Sequence, residues 1–145
     1  MNTSQEGIDL IKSFEGCELT AYKCSAGVWT IGYGHTRDVT ESTTCTQDKA
    51  EVLLKSDLHE FERYVNNLVT VPLTQCQFDA LVCFTYNLGP TNLKSSTLLR
   101  VLNSGDYEAV PAQLIRWDKV NGRPLAGLTR RRIAEVDLWN KGLPE

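Results

Sequence analysis

Residues 14–36 read FEGCELTAYKCSAGVWTIGYGHT, and this stretch decides the architecture. A helical pattern runs into it from the N-terminal side. Thr3 and Glu6 have the spacing of a capping box, followed by Ile8, Leu10, Ile11 and Phe14. A first helix is therefore expected over about residues 4–14, with Glu15-Gly16 ending it because glycine stops helices readily. Beyond Gly16 the character changes. Glycines recur at 27, 32 and 34, and Val28-Trp29-Thr30-Ile31 is β-prone. Residues 17–40 should form a small antiparallel sheet of short strands, which leaves Glu15 on the junction between helix and sheet.

The chain downstream is helical. Thr44 with Gln47 has the capping-box spacing again and introduces a helix over about 46–68. Its apolar stripe is Ala50, Leu54, Leu58, Phe61, Val65 and Leu68, three or four residues apart. Pro72 breaks it. Thr74 with Gln77 caps a third helix carrying Phe78, Leu81, Val82 and Leu88, closed by Gly89-Pro90. Ser95 or Ser96 starts a shorter helix that stops at Gly105. Another spans about 106–117 with Pro111 in its first turn, and Thr129 opens a last one through Trp139. Helix, small sheet, then many helices is an α+β protein dominated by α. No repeat, low-complexity tract or linker divides it, so the 145 residues read as one domain.

The net charge of −3 argues against a nucleic-acid partner, which leaves a basic footprint. From Arg116 onward, however, seven basic residues (Arg116, Lys119, Arg123, Arg130, Arg131, Arg132, Lys141) stand against four acids, a local excess of +3. That is either a solvated helix face or a basic wall toward an anionic polymer. No segment reaches the roughly 18 apolar residues that span a bilayer. The N-terminus lacks the basic and apolar regions of a secretory signal. Either the chain leaves the cytosol by another route or an export segment precedes Met1. Five cysteines leave at least one thiol unpaired in a monomer. With no C-x2-C spacing and no second histidine near His35, no metal site is expected.

A glutamate packed against apolar residues such as Phe14 can hold a proton near neutrality and act as a general acid, as glycoside cleavage requires. A glutamate at a helix end is also an ordinary surface residue, and pattern alone does not choose between a glycosidase and a binding module. Trp29, Trp117 and Trp139 are core candidates, with Trp117 also a candidate sugar contact.

The motifs narrow this. Glu15, position 24 and Thr30 hold a Glu-x8-(Asp)-x5-Thr spacing, and T-I-G-Y-G-H-T follows at 30–36. P-L-T-Q-C-Q-F-D-A-L at 72–81, Y-N-L-G at 86–89, S-T-L-L-R at 96–100, R-W at 116–117 and G-L-T-R-R-R-x-A-E at 127–135 continue in order. In these the chain resembles the T4-type phage lysozymes (endolysins) of glycoside hydrolase family 24, over essentially its whole length. Where most of that family has aspartate, this chain has Cys24. With E-G-C and Y-x-C-x-A-G-V-W-T it is most similar to the cysteine-triad endolysins, which include the phage P1 lysozyme.

The resemblance implies a lysozyme-like fold. A sheet lobe of about 15–45 is joined by the long helix to a helical lobe of about 70–145 plus the N-terminal helix. It implies hydrolysis of the β-1,4 bond between N-acetylmuramic acid and N-acetylglucosamine of peptidoglycan, without a cofactor, causing host-cell lysis. Glu15 would be the general acid, Cys24 would take the aspartate's role, and Thr30 would orient the attacking water. His35 would pair structurally with Asp57, and Asn87 would contact substrate. The family stereochemistry is inversion, although a thiolate can also act as a nucleophile. The alternative is a peptidoglycan-binding protein impaired by the Asp-to-Cys change. The expected partner is peptidoglycan, with no nucleic acid, for a monomer made in the host cytoplasm and acting in the periplasm.

A free thiol is mostly neutral at pH 7, so Cys24 needs help to replace a carboxylate; Lys23 beside it is one candidate. Cys17 and Cys24 are close enough in sequence for a turn to bring them together as a regulatory disulfide. Cys76 and Cys83 on one helix cannot pair, because seven residues rise about 10.5 Å.

Overall fold

The computed structural model describes residues 1–141. The chain forms α1 (Gln5–Glu15), β1 (Glu18–Lys23), β2 (Trp29–Gly32), α2 (Gln47–Leu68), α3 (Gln75–Leu88), α4 (Pro90–Ser95) and α5 (Thr97–Asn103). A 3-10 turn (Tyr107–Ala109), α6 (Val110–Ile115), β3 (Lys119–Val120), β4 (Arg123–Pro124) and α7 (Ala126–Lys141) follow. The α+β, mainly helical class is thus as the pattern implied. Two compact units divide it: Asp9–Glu60, and Met1–Ile8 with Phe61–Glu145.

These boundaries differ from the expected lobes, because α1 is shared. Its beginning is held in the helical unit, where the Thr3 amide and hydroxyl donate to Glu62 at 2.8 and 2.7 Å and the Ser4 hydroxyl bonds Asp79. Its end is held in the sheet unit, where Lys12 lies 2.5 Å from Glu51 and over the Tyr33 ring. Ile11, Ile31, Tyr33, Ala50, Leu54 and Leu58 are the buried apolar residues of the sheet unit. The α2 stripe therefore serves as expected, with Ala50, Leu54, Leu58 and Val65 buried and Phe61 and Leu68 half-buried. Gly32 has φ +63, and a Cβ there would stand 3.4 Å from Ala50, so glycine seats the hairpin on α2.

Helix starts follow hydroxyls, but not always the expected ones. Thr74 and Gln77 form the reciprocal box of α3. The α1 cap is Ser4, whose hydroxyl accepts from Gly7, because Thr3 is engaged by Glu62. The α2 cap is Thr46, accepting from Lys49 at 3.1 Å, because Thr44 is drawn into a β-bridge with Thr20. Ser96 caps α5. Pro90, expected to close a helix, opens the short α4 instead. Thr129 does not open α7; its hydroxyl donates to Asp118 at 3.0 Å, three residues inside the helix.

The hairpin β3–β4 was not foreseen. Asn121 and Gly122 have φ of 52° and 79°, the two positive values a tight two-residue turn requires, and Asn-Gly is its usual sequence. In the helical unit α7 packs on α3 and α6, and Phe78, Phe84, Leu98, Leu102 and Trp139 fill the core.

The basic segment is neither a wall nor a solvated face throughout. Arg131 and Arg132 are buried and converge on buried Glu135, with Arg132 Nε 2.7 Å from Oε1 and a second Arg132 nitrogen donating to Oε2 at 2.8 Å. Arg131 donates to the Cys83 carbonyl at 3.1 Å. The Arg132 guanidinium also lies over the Phe84 ring. Arg116, Lys119, Arg123, Arg130 and Lys141 are exposed.

Candidate active site

The sheet unit carries the candidate site. Glu15 is the last residue of α1 and half-buried. Gly16, at φ +65, stops the helix by returning its N–H to the Lys12 carbonyl at 3.1 Å. The chain then enters β1, turns, and returns as β2.

The turn is built around Cys24. Its N–H donates to the Val28 carbonyl at 3.0 Å, and Gly27 N–H returns to the Cys24 carbonyl at 2.8 Å. Gly27 adopts φ +77, which closes a three-residue hairpin loop that an L-residue would strain. Backbone amides then converge on sulfur. The Cys24 thiol is held below its ordinary pKa chiefly by the Val28 amide, then the Ala26 amide, with the Thr30 hydroxyl assisting against the opposing effect of burial.

Lys23 does not supply this effect. Its ammonium lies 5.4 Å from the centroid of Trp29, its cross-strand partner. Successive strand side chains point to opposite faces, so Lys23 and Trp29 occupy one face and Cys24 the other. On that other face lie Tyr22, two residues before Cys24, and Thr30, the cross-strand partner of Tyr22.

Thr30 is buried, and its hydroxyl has one proton and two acceptors within reach. The Val28 carbonyl is 2.9 Å away, and the Cys24 sulfur is the other. The proton can turn to sulfur when the thiol ionises, leaving oxygen lone pairs for a water.

Tyr22 was missed by sequence reasoning, although the Y-x-C spacing on a strand was sufficient to place it beside Cys24. Its phenol is pushed up by burial, then by the charges of Glu15, Glu18 and Cys24, so it stays protonated. Glu15, Glu18 and Cys24 thus lie within electrostatic reach of Tyr22 on the sheet unit.

His35 and Asp57 meet: Nδ1 is 2.8 Å from Oδ2. His35 also closes the β2 turn by exchanging two backbone hydrogen bonds of 2.9 Å with Ile31. The pair thus ties the glycine-rich turn to α2. His59 is exposed.

Cys17 and Cys24 are free thiols at opposite ends of β1. The expected turn between them is a strand, and seven residue steps of extended chain separate their Cα atoms by about 20 Å. A disulfide tolerates roughly 7 Å, so that pairing is incompatible with β1 as folded. Cys17 Sγ instead lies 3.5 Å from Gln47 Oε1. Cys83 is fully buried, and burial pushes its thiol far up; Cys76 is half-buried.

Asn87 and Trp117 belong to the helical unit. Trp117 packs edge-on against Phe84 with centroids 5.7 Å apart, and its carbonyl accepts from Arg132. Trp117 is half-buried. Asn87 is half-buried in the last turn of α3, and its Oδ1 is buried without a hydrogen-bond partner among the described residues.

The family model of the phage lysozymes matches residues 12–135. The chain is 44% identical over 143 residues to an endolysin of Acyrthosiphon pisum secondary endosymbiont phage 1, covering 96% of this chain and 98% of that protein. It is similar in structure to the muramidase domain of SpmX from Asticaccaulis excentricus, with a TM-score of 0.89 and 42% identity over 95% of this chain and 97% of that one. It is also similar to the active form of the P1 phage endolysin Lyz, with a TM-score of 0.88 and 28% identity over 100% of this chain and 88% of that one. With most of its length matched and the expected fold in place, the chain belongs to the phage lysozyme family.

Proposed function

We propose that this phage lysozyme is an endolysin that hydrolyses the β-1,4 bond between N-acetylmuramic acid and N-acetylglucosamine in peptidoglycan, with Glu15, Cys24 and Thr30 as its working groups. The observation that carries this is the amide-lined turn that makes the Cys24 thiol more acidic. It favours the thiolate where a carboxylate otherwise stands. Nothing in the site favours a catalytically impaired binding protein.

Glu15 gives its proton to the bridging oxygen as the glycosidic bond breaks, and positive charge develops on the sugar ring. The Cys24 thiolate stabilises that charge and accepts a proton from water, whose oxygen bonds to the anomeric carbon. The Thr30 hydroxyl, beside sulfur, holds that water. Inversion follows from attack by water rather than sulfur. The proton on sulfur returns to solvent, and Glu15 is reprotonated from it.

The protein acts as a monomer on the cell wall, without a cofactor or nucleic-acid partner. It is made in the host cytoplasm and reaches peptidoglycan through the periplasm. No described helix is long and apolar enough to cross a membrane.

Clearing of permeabilised Gram-negative cells tests the reading. Wild type under reducing conditions should clear them, whereas Glu15→Gln and Cys24→Ser should lose at least about 100-fold in rate. Full activity of Cys24→Ser would remove sulfur from the mechanism. Absence of clearing by reduced wild type would leave a wall-binding protein.

A further inference from the structure

The β1–β2 hairpin presents one donor to this site that the mechanism does not use. Tyr22 and Thr30 are register partners, and Cys24 lies two residues along the same face of β1. Tyr22 is 36% exposed, so its ring stands at the surface of the cluster. Among the described residues its hydroxyl makes no hydrogen bond to the protein. The charges of Glu15 at the end of α1, Glu18 at the start of β1 and Cys24 in the turn all act on the phenol, while the Lys23 ammonium lies over Trp29.

We propose that Tyr22 is a substrate-positioning residue, whose phenol O–H donates a hydrogen bond to an oxygen of the sugar at the cleaved bond. A saccharide ring presents hydroxyl and acetamido oxygens as acceptors. An exposed donor beside the acid and the thiolate is placed to fix the ring between them. Burial, and then the charges of Glu15, Glu18 and Cys24, favour the neutral phenol, so its O–H is kept as a donor. This assignment rests on the lysozyme reading of the site, and its test separates the two.

The test uses the intact chain with a soluble, defined peptidoglycan fragment. Tyr22→Phe keeps the ring and removes the donor. We expect kcat/KM to fall roughly tenfold, the effect of one hydrogen bond. The melting temperature and the pH dependence of Cys24 alkylation should stay as in wild type. A fluorinated tyrosine at position 22 ionises at lower pH and should add a new alkaline loss of activity at its own phenol pKa. That loss is a signature that packing does not produce. Wild-type kcat/KM in Tyr22→Phe, or no new alkaline limb with the fluorinated residue, would overturn the assignment while leaving the lysozyme reading intact. Inactive wild type on the same fragment would overturn both.

Discussion

The Cys24 backbone N–H donates to the Val28 carbonyl at 3.0 Å, and the Val28 amide in turn favours the Cys24 thiolate. One pair of residues therefore closes the hairpin and tunes the sulfur. Fold and reactivity share these hydrogen bonds, so changes to the turn should register in both.

The first consequence is a pH profile. In the proposed mechanism the thiolate is the working form, and the Cys24 thiol is held below its ordinary pKa. Activity should therefore rise with pH through a point below the ordinary thiol range and be lost as pH falls through it. Cys24→Asp should stay active and move that rising limb further toward acid, because an aspartate ionises near pH 4. Initial clearing rates against pH in the two proteins check this, and coincident rising limbs would contradict it.

Gly27→Ala probes the turn itself. No neighbouring atom lies within 4 Å of an added Cβ, so the effect is one of backbone strain at φ +77. The cost should be about 1–2 kcal/mol in urea unfolding. Because the Ala26 and Val28 amides shift with the turn, Cys24 alkylation should need a higher pH. Unchanged stability together with unchanged alkylation would show that the turn does not govern the thiol.

Oxidation should pair Cys17 with Cys45 before Cys24. The Cys45 N–H donates to the Leu19 carbonyl at 3.0 Å and Thr44 bridges Thr20, so Cys45 runs alongside the entry to β1. The Cys45 thiol is raised by burial and then by Cys17, which places the two sulfurs within electrostatic reach. Peptide mapping after mild oxidation should find that link in active protein. A Cys17–Cys24 link should appear only where β1 has come apart and activity is gone. Finding that link in fully active protein would refute the strand argument.

The buried cluster in the helical unit predicts asymmetric mutational costs. Glu135→Gln removes the carboxylate on which Arg131 and Arg132 converge in the core and should destabilise by about 3–5 kcal/mol. Replacing all three by apolar residues of similar volume should cost far less. Urea denaturation of the single and triple variants measures the difference, and equal costs would show that buried charge is not the cause.

Much of this was legible from local rules. The α2 stripe, the Thr74–Gln77 box and the Gly16 stop each depend on residues within a few positions of one another. Thr3 misled because its hydroxyl is claimed by Glu62, and Thr44 because its flanking residues are paired with β1, Ala21 donating to Thr43 and Cys45 to Leu19. Arg131 and Arg132 misled because charge alone does not say which way a helix face turns. Asn121-Gly122 carries its hairpin in two residues, since both take the positive φ that the turn requires.

For the site, the sequence by itself determined the order of elements and the spacing of Glu15, Cys24 and Thr30. Helix stops and tight turns follow from backbone preferences of a few residues. The tertiary structure decided which side chains gather round the thiol, because the folded hairpin sets the pairing of β1 with β2 and brings Tyr22 opposite Thr30 and Lys23 opposite Trp29. It also decided the acidity of Cys24, since that depends on where the amides of the folded turn point. Tyr22 joins the site for the same reason: its position on β1 is local, but its neighbours are not.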